Sequence, residues 1–291
     1  MKIVFGKSLP HSPVGLSAGA DSTDLMAWDA HGGITLHDEA GNVLAKRLVN
    51  GVISAALSAD GKRAVAVTRN GLIHILDKKL AQCLEIHAKA QASSVAIDKH
   101  GRQIAVGFTD GTIGFWDGHG KEGSRFQAPS PAASMAFGIR HPWLAFAAGT
   151  GMAGCTDTNG AMRWREGLPH QLGPIAMAGE SGTWYLPCHD GGLVSYGPLG
   201  APHRIVPRAP ACRLAACNHM GTIVAVGSDR GRLSLLRSQD EEPLTLDLPV
   251  RINCKALTGR APPSFSPTEV AGRTGACSSA RRSACRGPRR W

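Results

Sequence analysis

The 291 residues include 36 glycines and 18 prolines but only 5% aromatics, so turns are frequent and any core rests on aliphatic side chains and alanine. The charge of +10 is uneven: residues 251–291 hold nine Lys or Arg and one acid, Glu269, while residues 1–250 hold 23 against 21, and so nearly neutral a body argues against a nucleic-acid-binding domain. No apolar run reaches the roughly 18 residues of a membrane span, and Met1–Lys7 lacks the apolar stretch of a secretory signal, so a cytoplasmic location is expected.

In chain order, Lys2–Phe5 is a strand-length piece expected to join the last structural unit from outside. From Ala20 onward, landmarks recur about every 40 residues. One is a polar turn: Ala20-Asp21, Asp60-Gly61, His100-Gly101, Arg140-His141, Ser181-Gly182 and Met220-Gly221. A second is a glycine, at Gly33, Gly71, Gly111, Gly151, Gly192 and Gly231. A third is an aspartate after an apolar run, at Asp38, Asp77, Asp117 and Asp157, three of them followed by glycine three residues later.

Between the landmarks lie runs too short for helices. Residues 53–86 predict an inner hairpin of Ala64–Thr68 and Leu72–Leu76. Residues 93–127 predict strands at Ser94–Ile97, Gln103–Gly107 and Thr112–Trp116, with a weak fourth at Ser124–Gln127. Residues 212–248 repeat the plan with Ile223–Gly227 and Leu233–Leu236. Four short strands per 40 residues is the arithmetic of a β-propeller. One such sheet cannot bury both faces alone, whereas sheets stacked about an axis bury each other. The expected fold is all-β, with six complete four-stranded antiparallel blades and a truncated seventh.

That seventh repeat begins at Val250–Arg260, which aligns with Val52–Lys62, and then fails: from Ala261 to Trp291, Phe265 and Val270 alone represent Val, Ile, Leu, Phe and Tyr. The division is a propeller over 1–258 and a basic tail over 259–291, expected to be disordered because it cannot bury enough apolar surface. The tail reads either as a segment for nucleic acid or an acidic partner or as a frameshifted end replacing the last strands. The break in mid-repeat favours the second.

Chemistry-bearing motifs are sparse. No nucleophile elbow, P-loop or H-E-x-x-H motif occurs. Of the 12 histidines, His31, His100, His119, His141 and His189 fall in predicted turns, which could converge on one rim. Solvated turn residues are the plainer expectation. Cys212 and Cys217, with His219 beyond, are the nearest approach to a metal site, but both cysteines read as strand residues packed like small hydrophobes. No metal or cofactor is expected.

The segment Asp110-Gly111-Thr112-Ile113-Gly114-Phe115-Trp116-Asp117 resembles the signature of WD-repeat proteins. The resemblance implies a hydrogen-bonded set in which Asp110 and Trp116 match, and His87 lies near the loop-histidine position. Phe108 occupies the hydroxyl position, and Asn70, Thr150 and Arg230 stand where other blades would carry the turn aspartate. The likeness is to the looser WD-repeat-like propellers, comparable to that of an anaphase-promoting-complex subunit. Asp157–Trp164 is similar to the tryptophan-docking motif of quinoprotein propellers, which implies that Trp164 packs between blades.

The expected function is a non-enzymatic scaffold that binds a protein or peptide on one rim, as a monomer, with no membrane contact and no nucleic acid except through the tail. The alternative is a metal-dependent, lactonase-like hydrolase with its site at the central channel. That channel would need acids and histidines, where the inner strands offer Ala, Ser and Val.

Overall fold

The computed structural model describes residues 11–197, 204–206, 210–228, 230–237 and 243–247. The seventh repeat, the Lys2–Phe5 strand and the basic tail lie outside these residues. Six four-stranded antiparallel sheets form, each in sequence order. Blade 1 holds β1 (Pro13–Ala18), β2 (Leu25–Asp29), β3 (Gly33–His37) and β4 (Val43–Leu48). Blade 2 holds β5 (Val52–Leu57), β6 (Arg63–Thr68), β7 (Leu72–Asp77) and β8 (Gln82–His87). Blade 3 holds β9 (Ala92–Ile97), β10 (Gln103–Phe108), β11 (Thr112–Asp117) and β12 (Glu122–Gln127). Blade 4 holds β13 (Ser134–Phe137), β14 (Trp143–Ala147), β15 (Met152–Asp157) and β16 (Met162–Gly167). Blade 5 holds β17 (Ala176–Met177), β18 (Trp184–Cys188), β19 (Gly192–Tyr196) and β20 (Arg204–Ile205). Blade 6 holds β21 (Leu214–Cys217), β22 (Ile223–Gly227), β23 (Arg232–Arg237) and β24 (Leu244–Asp247).

The sheets fan as a six-bladed β-propeller. First strands touch from blade to blade, β1 to β5 to β9 to β13 to β17 to β21, and so line the hub. Fourth strands lie at the rim, where β8 exposes Gln82, Cys83, Glu85 and His87. The core is a series of seams between successive blades. Met26, Trp28, Ile34 and Leu36 of blade 1 meet Ala64, Ala66 and Leu76 of blade 2. Val65, Val67, Ile73 and Ile75 on the other face of blade 2 meet Ile97, Ile104 and Val106 of blade 3. Similar clusters join blades 3 and 4, 4 and 5, and 5 and 6. Period-two alternation sends successive residues to opposite neighbours, which is why the inner strands are apolar throughout.

The third landmark has a local cause. Asp38, Asp77, Asp117 and Asp157 each accept hydrogen bonds from the backbone N–H groups two and four residues on, at 2.8–3.0 Å. Each carboxylate therefore locks the turn into its blade's fourth strand. Gly41, Gly120 and Gly160 then take positive φ, and in blade 2 Leu80 does so at 58°. Leu80 is only 2% exposed and packs in the seam between blades 1 and 2, so burial holds a branched residue where glycine is usual.

The glycine landmark needs one correction. In blade 1 the turn residue is Gly32, with φ 89°, and Gly33 opens β3. A Cβ on Gly32 would lie 2.1 Å from the Val49 carbonyl oxygen, because the connection to the next blade crosses over the turn. The same crossing meets Gly71 at the Ala90 carbonyl and Gly151 at the Leu168 carbonyl.

Candidate functional site

Antiparallel order sorts the loops onto two faces. Among the described residues, the first–second and third–fourth turns emerge on one, here called the turn face. The second–third turns and the connections between blades emerge on the other, the connection face.

The turn face is braced from blade to blade. Backbone N–H groups of Asp21, Asp60 and Glu180 donate to the carbonyls of Ala59, Lys99 and His219 on following blades. Lys99 Nζ lies 2.7 Å from Asp21, and Arg140 pairs with Glu180. His219 of blade 6 sits between Glu180 of blade 5 and Asp21 of blade 1, 3.6 Å from each, with its Nδ1 buried and without a hydrogen-bond partner. These are the polar turns of the first landmark, and the repeat brings them together as a belt around the hub.

Inside the belt lies a cavity of about 190 Å³. Its walls are hub-strand residues, among them Ala18, Ala56, Ala96, Met135, Ala136 and Met177, with Lys99 also in the lining. Among the described residues, no group of three or more His, Cys, Asp or Glu side chains gathers at metal-binding spacing.

The connection face joins three-residue turns such as 109–111 with the eight-residue connection 168–175. Between blades 5 and 6 it opens into a groove of about 650 Å³. The second–third turn of blade 5 contributes His189, the connection into blade 6 contributes Pro210, Ala211, Cys212 and Arg213, and blade 6 contributes Ser228, Arg230 and Arg232 with Asp247. Arg232 Nε donates to Asp247 Oδ1 at 2.9 Å, which holds that carboxyl below its ordinary value. His189 Nδ1 is buried with no hydrogen-bond partner.

The motif residues are separated by the fold. Asp110 sits in its turn and accepts from the Thr112 N–H at 2.8 Å. Trp116 is 2% exposed and meets Phe108 edge-on, with ring centroids 6.2 Å apart. His87 is exposed at the end of β8. No hydrogen bond joins these residues. Phe108, in the place of a hydroxyl, makes the site an aromatic contact. Trp164 crosses from blade 4 to stack on Tyr196 of blade 5 at 4.7 Å, with Trp184 at 5.4 Å.

The turn histidines divide between the faces: His31 and His189 lie in second–third turns, while His100, His119 and His141 lie in turns of the other face. Cys217 closes β21, but Cys212 precedes that strand, contrary to the expectation for both. The two share the seam between blades 5 and 6. Burial raises the thiol pKa of Cys155 and Cys217 to about 12 and that of Cys188 to about 11, which leaves them protonated. Sequence reasoning passed over the groove arginines. The available signal was Arg230 standing where the WD-like blade has an aspartate.

Compared with known proteins, the chain matches no family model and no curated sequence. No helix among the described residues is long and apolar enough to cross a membrane.

Proposed function

We propose that the chain is a non-enzymatic scaffold that holds a protein or peptide on its connection face. The contrast between the two faces carries this reading. Turn-face groups are engaged, within blades by carboxylate-locked turns and across blades by backbone hydrogen bonds and the Lys99–Asp21 and Arg140–Glu180 pairs. The connection face combines the eight-residue connection 168–175 with an open groove, and binding sites favour loops held on a rigid frame. The WD-repeat resemblance of Asp110–Asp117 agrees with a scaffold role, by analogy of fold. A cytoplasmic setting and a monomeric state belong to the same proposal.

The experiment is affinity capture with the full chain, followed by hydrogen exchange with the captured protein added. Protection confined to 128–133, 168–175 and 210–213 is expected. Protection confined to the turns at 38–42, 117–121 and 157–161 would overturn the reading.

A further inference from the structure

We infer that His219 is a pH-operated clasp: when its imidazole takes up a second proton it ties blade 6 to blade 5 and to blade 1, and so tightens the propeller. The inference goes beyond the scaffold reading and concerns the opposite face.

Successive blades follow one another along the chain, whereas blades 6 and 1 stand at opposite ends of the described elements. His219, in the first–second turn of blade 6, faces that junction. Its Nδ1 lies 3.6 Å from Asp21 Oδ1 of blade 1, and its Nε2 lies 3.6 Å from Glu180 Oε2 of blade 5. Both separations exceed a hydrogen bond, and Nδ1 is buried without a partner. The imidazole has a seat made for it. A Cβ on Gly179 would lie 2.5 Å from Nδ1, so this glycine makes room for the side chain. The Glu180 N–H also donates to the His219 carbonyl at 2.9 Å, which fixes turn against turn.

A neutral imidazole carries one N–H and one lone pair. With a carboxylate at each ring nitrogen, either tautomer turns its lone pair toward a negative oxygen. An imidazolium donates from both nitrogens, so the arrangement suits the charged form. The far carboxylate oxygens are already engaged: Lys99 Nζ lies 2.7 Å from Asp21 Oδ2, and Arg140 pairs with Glu180 Oε1. A proton taken from solvent completes an alternating series Lys99, Asp21, His219, Glu180, Arg140, drawn from blades 3, 1, 6, 5 and 4. Other titratable groups nearby point elsewhere or keep their protons. Asp24 lies against Gly61 of blade 2, and His141 stacks on Trp143. The Tyr185 hydroxyl donates to the Gly221 carbonyl at 3.2 Å, and burial pushes Tyr185 and Cys217 up to about 12. The charged imidazole gains contacts that only the closed junction supplies. Closure therefore strengthens as pH falls through the range, about 6.5, in which histidine ordinarily takes a proton, and weakens as pH rises.

The test is hydrogen exchange of the full chain at pH about 5.8 and about 7.8, each rate divided by that of unstructured peptides of the same sequence at the same pH. The turns at 19–24 and 218–222 are expected to gain about tenfold protection at the lower pH, while the turn at 60–62 changes by less than about twofold. His219→Gln should abolish the gain, and Gly179→Ala, which displaces the imidazole from its seat, should do the same. Asp21→Asn should reduce it more than Glu180→Gln, because the Asp21 side chain is 21% exposed and that of Glu180 43%, where solvent screens the pair. His100→Gln removes a histidine 3.5 Å from Asp60 in the neighbouring turn and should leave the gain intact. Melting curves matching the parent at pH about 7.8 show that the variants fold; where Gly179→Ala does not, His219→Gln decides. No gain in the parent, the same gain in His219→Gln, loss of the gain in His100→Gln, or an equal gain at 60–62 would each overturn the inference.

Discussion

The seam between blades 2 and 3 and the seam between blades 4 and 5 solve one problem with different side chains. In the first, Val65, Val67, Ile73 and Ile75 interlock with Ile97, Ile104 and Val106, and every strand has six residues. In the second, blade 4 offers Ala145, Ala147 and Ala153, and blade 5 has first and last strands of two residues each. Gly173 and Pro174 precede β17, and Pro187 within β18 has no N–H to give, though its carbonyl accepts from the Gly173 N–H at 2.9 Å. The space left by the alanines is filled by Trp164, Trp184 and Tyr196. Blade spacing requires a given volume between sheets, and branched aliphatics or stacked aromatics both supply it.

Substitutions test that equivalence. The largest expected loss is in the aliphatic seam, where Ile75 is fully buried: Ile75→Ala should cost about 4 kcal/mol in urea unfolding. Trp164→Ala should cost about 3 kcal/mol, less than full burial would imply because the ring is partly exposed. Its signature is faster hydrogen exchange in blades 4 and 5 alone. Equal acceleration in blade 2 would break the picture of independent seams.

Gly114→Ala places a Cβ 2.6 Å from Trp116 Cη2, so overpacking should cost about 2 kcal/mol. Tyr196→Phe keeps the stack and removes the hydroxyl's bond to Glu166 at 3.0 Å, at a cost of about 1 kcal/mol. A loss as large as that of Trp164→Ala would shift the weight of this seam from stacking to the hydrogen bond.

The smallest effect concerns the turns. Hydrogen bonding holds Asp38 below its ordinary 3.8 through the Asn42 side chain, Asp117 through the Lys121 N–H and Asp157 through the Ala161 N–H. A carboxyl lowered on folding contributes stability above its unfolded value, and loses it as pH falls through the folded one. Replacing the three by Asn should therefore flatten the decline of the urea midpoint below about pH 4 while lowering the midpoint at pH 7. An unchanged acid limb would mean that these turns are held by other groups.

Much of the fold was legible beforehand. The hairpins at 64–76, 103–116 and 223–236 recur as β6–β7, β10–β11 and β22–β23, because turn residues and apolar runs act over a few residues. The shift from Gly33 to Gly32 was not legible: adjacent glycines look alike until a crossing carbonyl singles one out. The candidate site was less accessible still. Arg213 and Arg230 are 17 residues apart in the chain and belong to one groove only because β21 and β22 fold back between them.

Period, strand number and turn chemistry were thus present in the amino-acid order, since each arises from contacts within about 40 residues. Which loops share a face, which turns join into the belt through His219 and Asp21, and which arginines line one groove came from assembly. Those groups lie on different strands or blades, and only the stacking of sheets about the hub sets the distance between them.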